Sequence, residues 1–247
     1  MNRQPSAGTF YTVGVGPGDP ELISIKAARI IGAAPVIAYF AKRGGSGHAY
    51  RIAQSYIPPR ATLLRFDYPY TTELAFTETD YRTALHRFYD EVADAIANRL
   101  DRGTDVALLC EGDPFFFGSS MYVFDRLAER GCRAEIIPGI TGMSGCWARA
   151  KAPMVHGDDV MSVLPATLPA QELGMRLGVC DAAVIMKLGG NLPAVRDALA
   201  SAGLTERAIY VEYGTMENER VMPFTALQHD RAPYFSLVLV PGRTGTR

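Results

Sequence analysis

The chain has 247 residues, enough for one large domain or two modest ones, each with its own core. Its 25 lysines and arginines against 26 aspartates and glutamates leave a formal charge of -1, so no whole-chain field draws it to nucleic acid or membrane. No run reaches the ~20 apolar residues of a membrane span, and the polar opening 1–8 is no signal peptide.

Phe10-Tyr11-Thr12-Val13-Gly14-Val15 suits a first buried strand, broken at Gly16-Pro17-Gly18-Asp19-Pro20. Ala27, Ala28, Ile30 and Ile31 predict a helix over 24–33, followed by a short strand over 35–40 and a flexible basic loop from Ala41 to His48. A helix over 49–56 stops at Pro58-Pro59, and 61–66 makes a third strand. From Asp80, read as an N-cap, Tyr81, Leu85, Phe88, Val92, Ile96 and Leu100 recur at helical spacing until Gly103.

The fourth strand starts Val106-Ala107-Leu108-Leu109 and breaks into Glu111-Gly112-Asp113-Pro114, with three phenylalanines after it. A helix from Ser119 or Ser120 closes at Gly131, 133–137 is a fifth strand, and Pro138-Gly139 precedes a small-residue helix over 140–150. Five strand–helix alternations are the pattern of a parallel sheet with helices on its faces.

The rhythm then changes. Strands are expected over 160–164, 182–186, 208–213, 220–223 and 234–240, with helices only over 170–177 and 192–202. Late strands with no helix between them imply antiparallel pairing. The fold class is therefore α/β in two domains. Residues 1–139 carry a mostly parallel five-stranded sheet, residues 140–247 a mixed sheet, and a cofactor cleft is expected between them. Cys110, Cys132, Cys146 and Cys180 lie far apart, which reads as reduced thiols of a cytoplasmic protein. The four histidines show no metal-ligand spacing, so no metal is expected.

Gly14-Val15-Gly16-Pro17-Gly18-Asp19-Pro20 invites comparison with a dinucleotide fingerprint but departs from it. Asp19 stands where that fingerprint needs glycine, Pro20 where it needs a free N–H, and Tyr39-Phe40 where an acidic residue should hold a ribose. A carboxylate at Asp19 would also repel a pyrophosphate, which counts against a nicotinamide-dependent dehydrogenase. Met186-Lys187-Leu188-Gly189-Gly190-Asn191 and Glu212-Tyr213-Gly214-Thr215 end later strands in glycine, as ordinary turns or as parts of one ligand site.

Three motifs together resemble the S-adenosylmethionine-dependent tetrapyrrole methyltransferases. They are Gly14-Val15-Gly16-Pro17-Gly18-Asp19-Pro20, Glu111-Gly112-Asp113-Pro114-Phe115-Phe116-Phe117-Gly118, and Pro138-Gly139-Ile140-Thr141-Gly142-Met143-Ser144-Gly145. The resemblance runs from about Phe10 to Gly242, and the stretch from Tyr39 to Arg51 looks most like the precorrin-2 C20 branch of cobalamin biosynthesis. It implies contacts to S-adenosylmethionine, and to the product S-adenosylhomocysteine, from Pro17, Glu111, Gly112, Asp113, Phe116, Thr141, Gly142, Met186, Tyr213 and Gly214. Backbone groups bared by glycine are expected to meet the adenine edge, and Asp113 the ammonium or the ribose hydroxyls.

The implied partner is the polyanionic precorrin-2, with no nucleic acid or membrane, and the implied assembly is a homodimer. Lys42, Arg43, His48 and Arg51 follow the second strand, where they suit the acetate and propionate groups of such a substrate. Gly16, Asp19, Tyr68 and Tyr70 are further substrate-binding candidates. Relatives that methylate uroporphyrinogen III often carry an acidic residue where Phe40 stands, so no catalytic base is assigned. The alternatives are a same-family methylase acting on another precorrin or on cobalt-factor II and, more remotely, a methyltransferase of the same fold acting on RNA or protein.

Overall fold

The structure, a computed structural model, describes residues 7–69 and 78–242, and of 78–80 the backbone alone. Tyr70 and most of the tyrosine- and threonine-rich stretch around it lie outside the described residues. The chain divides into two compact units, Met1–Thr141 and Gly142–Arg247.

The first unit contains β1 (Phe10–Gly14), α1 (Ile25–Ala33), β2 (Val36–Ala41), α2 (His48–Ala53), β3 (Thr62–Asp67), α3 (Glu78–Leu100), β4 (Val106–Cys110), α4 (Ser120–Glu129) and β5 (Ala134–Ile137). Its sheet has the order β3-β2-β4-β1-β5, and every described pairing is parallel. The period-2 pleat sends alternate residues to opposite faces. Val13, Ile37, Ala107 and Leu109 pack under α1 and α2 with Ile31 and Ile52, while Phe10, Ala38, Val106 and Leu108 pack under α3 and α4 with Ile96 and Leu127. Each fully buried valine, leucine or isoleucine there contributes roughly 1.5–3 kcal/mol. Because the chain leaves β1 and β4 toward helices on opposite faces, the crevice beyond their carboxyl ends is where an open α/β sheet binds ligands.

Two local expectations are corrected. α3 starts two residues before Asp80, so Asp80 lies inside the helix and does not cap it; Tyr81, at the stripe's open end, is 45% exposed. The helix expected over 49–56 is α2 followed by a separate 3₁₀ turn, Gln54–Tyr56, which tightens the chain before Pro58-Pro59.

The second unit holds α5 (Gly142–Arg149), β6 (Met161–Pro165), α6 (Ala170–Gly178), β7 (Ala182–Met186), α7 (Leu192–Ser201), β8 (Ile209–Glu212), β9 (Arg220–Pro223) and β10 (Ser236–Val240). The sheet order is β6-β7-β10-β8-β9: β6 and β7 pair in parallel, whereas β10 runs antiparallel to β7 and β8, and β8 to β9. The central strand β10 is buried along its whole length. One face packs on α6 and α7 through Leu173, Leu177, Val195 and Leu199; the other packs on α5 through Cys146, with Trp147 against the same cluster. Among the described residues no helix is long and apolar enough to cross a membrane.

Candidate functional site

In the first unit three neighbouring strand ends meet as bare backbone. A Cβ on Gly139 would stand 2.1 Å from the Gly112 carbonyl oxygen and 2.9 Å from the Gly14 Cα. One on Gly14 would lie 2.6 Å from the Gly139 nitrogen. No side chain fits at either position, so glycine is required for these strands to close on one another. Beyond them, Gly112 N–H donates to the Gly16 carbonyl at 2.8 Å, and Gly16 N–H donates back at 3.4 Å, an isolated antiparallel bridge. Gly16 (φ 81°) and Gly112 (φ 65°) both adopt the left-handed conformation that this clip needs.

The clip changes what these glycines can do. Each N–H is spent on the other's carbonyl, so what the backbone of these two glycines still offers is second carbonyl lone pairs. Asp113 is likewise engaged: Oδ1 accepts the Phe115 N–H at 2.9 Å and Oδ2 the Gly139 N–H at 3.0 Å. This carboxylate ties the β4 loop to the β5 loop. Each oxygen still has acceptor capacity for an ammonium or hydroxyl group. Pro17 is buried beside the clip, and Phe116 pairs edge-on with Phe117 at 5.0 Å.

Glu111 sends Oε1 to the Ala49 N–H at 3.0 Å, linking the end of β4 to the start of α2. Burial pushes its carboxyl above the ordinary carboxylate range, opposed by hydrogen bonds from its own backbone and from Ala49. The turn it reaches carries the basic cluster. Arg51 Nη2 donates to His48 Nδ1 at 2.6 Å. Burial, then Arg51 and Lys42, hold the His48 pKa below its ordinary value. Lys42 and Arg43 are exposed, and the Lys42 carbonyl accepts from Arg65 at 3.2 Å. Asp19 caps the 3₁₀ turn Pro20–Leu22 by accepting the Glu21 N–H at 2.9 Å.

Phe40 sits in an aromatic nest, its ring 5.3 Å from Tyr68 (stacked), 5.8 Å from Phe88 and 6.1 Å from Tyr89. Tyr68, read as a polar substrate contact, spends its ring in this nest and hydrogen-bonds the Tyr89 side chain. Of the α3 contributions, Phe88 was legible only as helix core and Tyr89 was not singled out.

In the second unit the candidates lie after β7 and β8. Met186 ends β7, and the following Lys187 takes a left-handed φ of 60°. After β8, Tyr213 (φ 50°) and Thr215 (φ 69°) flank Gly214, where a Cβ would stand 2.6 Å from Cys146 Sγ. Positive φ at such side chains is strained and persists only when the surroundings impose it. The restraints are visible: Tyr213 N–H donates to the Phe235 carbonyl at 2.7 Å, and Thr215 N–H to Glu219 Oε2 at 2.7 Å. Arg149 Nε on α5 grips both Glu219 oxygens at 2.8 Å. Sequence reasoning missed Arg149, Glu219 and Phe235, since no motif marks them. Thr141 directly precedes α5, and Gly142 opens it with free space where a side chain would stand.

Comparison with known proteins matches residues 9–228 to the family model of the tetrapyrrole (corrin/porphyrin) methylases. The chain is 50% identical over 235 residues to the precorrin-2 C(20)-methyltransferase of a Sinorhizobium species, covering 95% of this chain and 96% of that one. It is 30% identical over 238 residues to the cobalt-precorrin-2 C(20)-methyltransferase of Salmonella typhimurium, covering 94% and 96%. A solved Thermus thermophilus uroporphyrin-III C-methyltransferase, complexed with S-adenosylhomocysteine, has the same fold, with TM-score 0.65 and 21% identity over 94% of this chain and 96% of that one. With its glycine-closed strand ends and this match over most of its length, the chain belongs to the tetrapyrrole (corrin/porphyrin) methylase family.

Proposed function

We propose that this chain is an S-adenosylmethionine-dependent C-methyltransferase of cobalamin biosynthesis that methylates precorrin-2 at C20 to give precorrin-3A. The observation that carries the reading is the Sinorhizobium relative, half identical along nearly the full length of both chains.

The residues present fit such a cofactor. Acceptors dominate the first unit's loops: the Asp113 carboxylate keeps lone pairs after its two backbone bonds, and the Gly16 and Gly112 carbonyls keep theirs. That set suits an ammonium group and ribose hydroxyls, and a sulfonium is attracted by carbonyls and aromatic faces. Pro17, Glu111 through its backbone, Gly112, Asp113, Phe116 and Thr141 are the proposed contacts from this unit. Gly142, Met186, Tyr213 and Gly214 are those from the second.

When bound, S-adenosylmethionine supplies an electrophilic methyl group on sulfur. The chain's own task is alignment and exclusion of water, because a direct displacement needs no covalent partner on the protein. Phe40, nested among aromatic rings, offers no proton chemistry at its position. Lys42, Arg43 and Arg51 meet the substrate's carboxylates, and His48, whose neutral form is favoured by burial and then by Arg51 and Lys42, donates a hydrogen bond beside them. Gly16 and Asp19 line the approach, with Tyr68 and Tyr70 as lesser contacts. The working form is taken to be a cytoplasmic homodimer; all four cysteines are unpaired, which suits a reducing compartment. The Salmonella relative's name favours one second reading, the same methylation on the cobalt-loaded macrocycle.

Incubation with precorrin-2 and a methyl-labelled donor tests the assignment. The expected product gains one methyl by mass spectrometry, located at C20 by NMR. Label at another carbon overturns the C20 assignment, and turnover of cobalt-precorrin-2 alone selects the second reading.

A further inference from the structure

Glu111 adjoins the glycine clip, yet its side chain serves another part of the unit. Gly47 takes φ 79°, and the chain doubles back so tightly over β2 that a Cβ there would stand 2.8 Å from the Phe40 carbonyl and 2.9 Å from the Tyr39 ring. The helix that follows, α2, is only six residues long and has no side-chain cap. Its first-turn N–H groups therefore need acceptors from elsewhere. Ala49 is 2% exposed, so water cannot serve its N–H fully, and the Glu111 carboxylate 62 residues away does. Leaving that donor unmet would carry the full desolvation penalty of a buried amide.

The same short turn presents His48, whose ring is bonded to Arg51. Glu111 thus joins the strand end that carries the Gly16–Gly112 clip to the turn that carries the basic side chains. We propose that Glu111 is a positioning residue, whose carboxylate fixes the Gly47–Arg51 turn against the end of β4 and so sets where the anionic substrate is held relative to the methyl donor. The inference rests on the functional reading above and deepens it. It assigns to the Glu111 side chain a role in binding the tetrapyrrole, and none in binding the nucleoside.

Glu111→Ala and Glu111→Gln separate these roles. An amide oxygen accepts the same Ala49 N–H, so Glu111→Gln keeps the link while Glu111→Ala removes it. For Glu111→Ala the expected KM for precorrin-2 rises about tenfold, the factor produced by ~1.4 kcal/mol of lost hydrogen bonding. The Kd for S-adenosylhomocysteine, by calorimetry, is expected to move less than about threefold, and Glu111→Gln to recover most of the KM. Deuterium exchange of the 47–51 amides is expected to quicken in Glu111→Ala and to stay near wild type in Glu111→Gln. Equal losses of both ligands in Glu111→Ala, or a Glu111→Gln variant as impaired as Glu111→Ala, would overturn the proposal. Wild-type protein inert toward precorrin-2 would instead defeat the functional reading. The exchange measurement then decides the positioning role alone, and unchanged exchange in Glu111→Ala sinks it.

Discussion

The two units shape their strand ends by different means. In the first, glycine removes the obstacle: Gly14, Gly112 and Gly139 let β1, β4 and β5 close backbone on backbone, and Gly16 completes the clip. In the second, residues with full side chains are forced into the left-handed region, and carboxylate and carbonyl acceptors hold them there. The first device is steric and leaves almost no tolerance. The second stores conformational cost that its restraints must offset, so it is adjustable.

The largest effect should come from adding one methyl at the steric junction. Gly139→Ala places a carbon where the Gly112 carbonyl already stands, and backbone cannot step aside. A loss of about 3 kcal/mol or more in denaturant unfolding is expected, with loss of S-adenosylhomocysteine binding. Gly214→Ala meets chiefly a side-chain sulfur, so its expected cost is smaller, about 2 kcal/mol, and Cys146→Ala in the same chain should recover about half. Equal, non-recoverable losses at both sites would erase the distinction between the units.

A moderate effect is expected where strain is held by charge. Glu219→Gln weakens the acceptor for Thr215 N–H and releases Arg149, costing ~1–2 kcal/mol of stability. Adding Thr215→Gly, which relieves the left-handed backbone, should return part of that loss in the same melts. A double variant less stable than Glu219→Gln alone would show that the turn is not strained.

The smallest effect concerns pH. Burial raises the folded-state pKa of Glu111 above its ordinary 4.5, so the folded protein binds that proton more tightly than the unfolded chain. Its contribution to stability is therefore favourable below 4.5, is lost as pH rises through the raised value, and stays lost above it. Paired thermal melts should show Glu111→Gln gaining on wild type as pH climbs out of the acid range, then holding a constant lead. A lead that shrinks with rising pH would mean that the ionised carboxylate is the favoured form.

Much of the fold was legible because local rules and tertiary packing agree. The apolar runs at 106–109 and 182–186 became strands, buried throughout except at half-buried Met186, and Ser24, read as the start of the helix over 24–33, caps α1 one residue before it. The start of α3 was misplaced because Asp80 suits a cap and also tolerates a first turn. The glycines of the site were readable, since few residues can replace them at a close approach. Their partners were not. Asp113 reaches Gly139 across 26 residues, Glu111 reaches Ala49 across 62 and Arg149 reaches Glu219 across 70, and nothing local announces such pairs. The left-handed turns at Tyr213 and Thr215 were invisible for a related reason. Neither residue type prefers that conformation, so only the assembled surroundings produce it.

The chain's single tryptophan, Trp147, packs against the α5 face of the second sheet, while the aromatic nest around Phe40 in the first unit is built from phenylalanine and tyrosine. Indole emission therefore watches one lobe by itself. Set beside a whole-chain melt followed by circular dichroism, it reports whether both halves melt together or in turn.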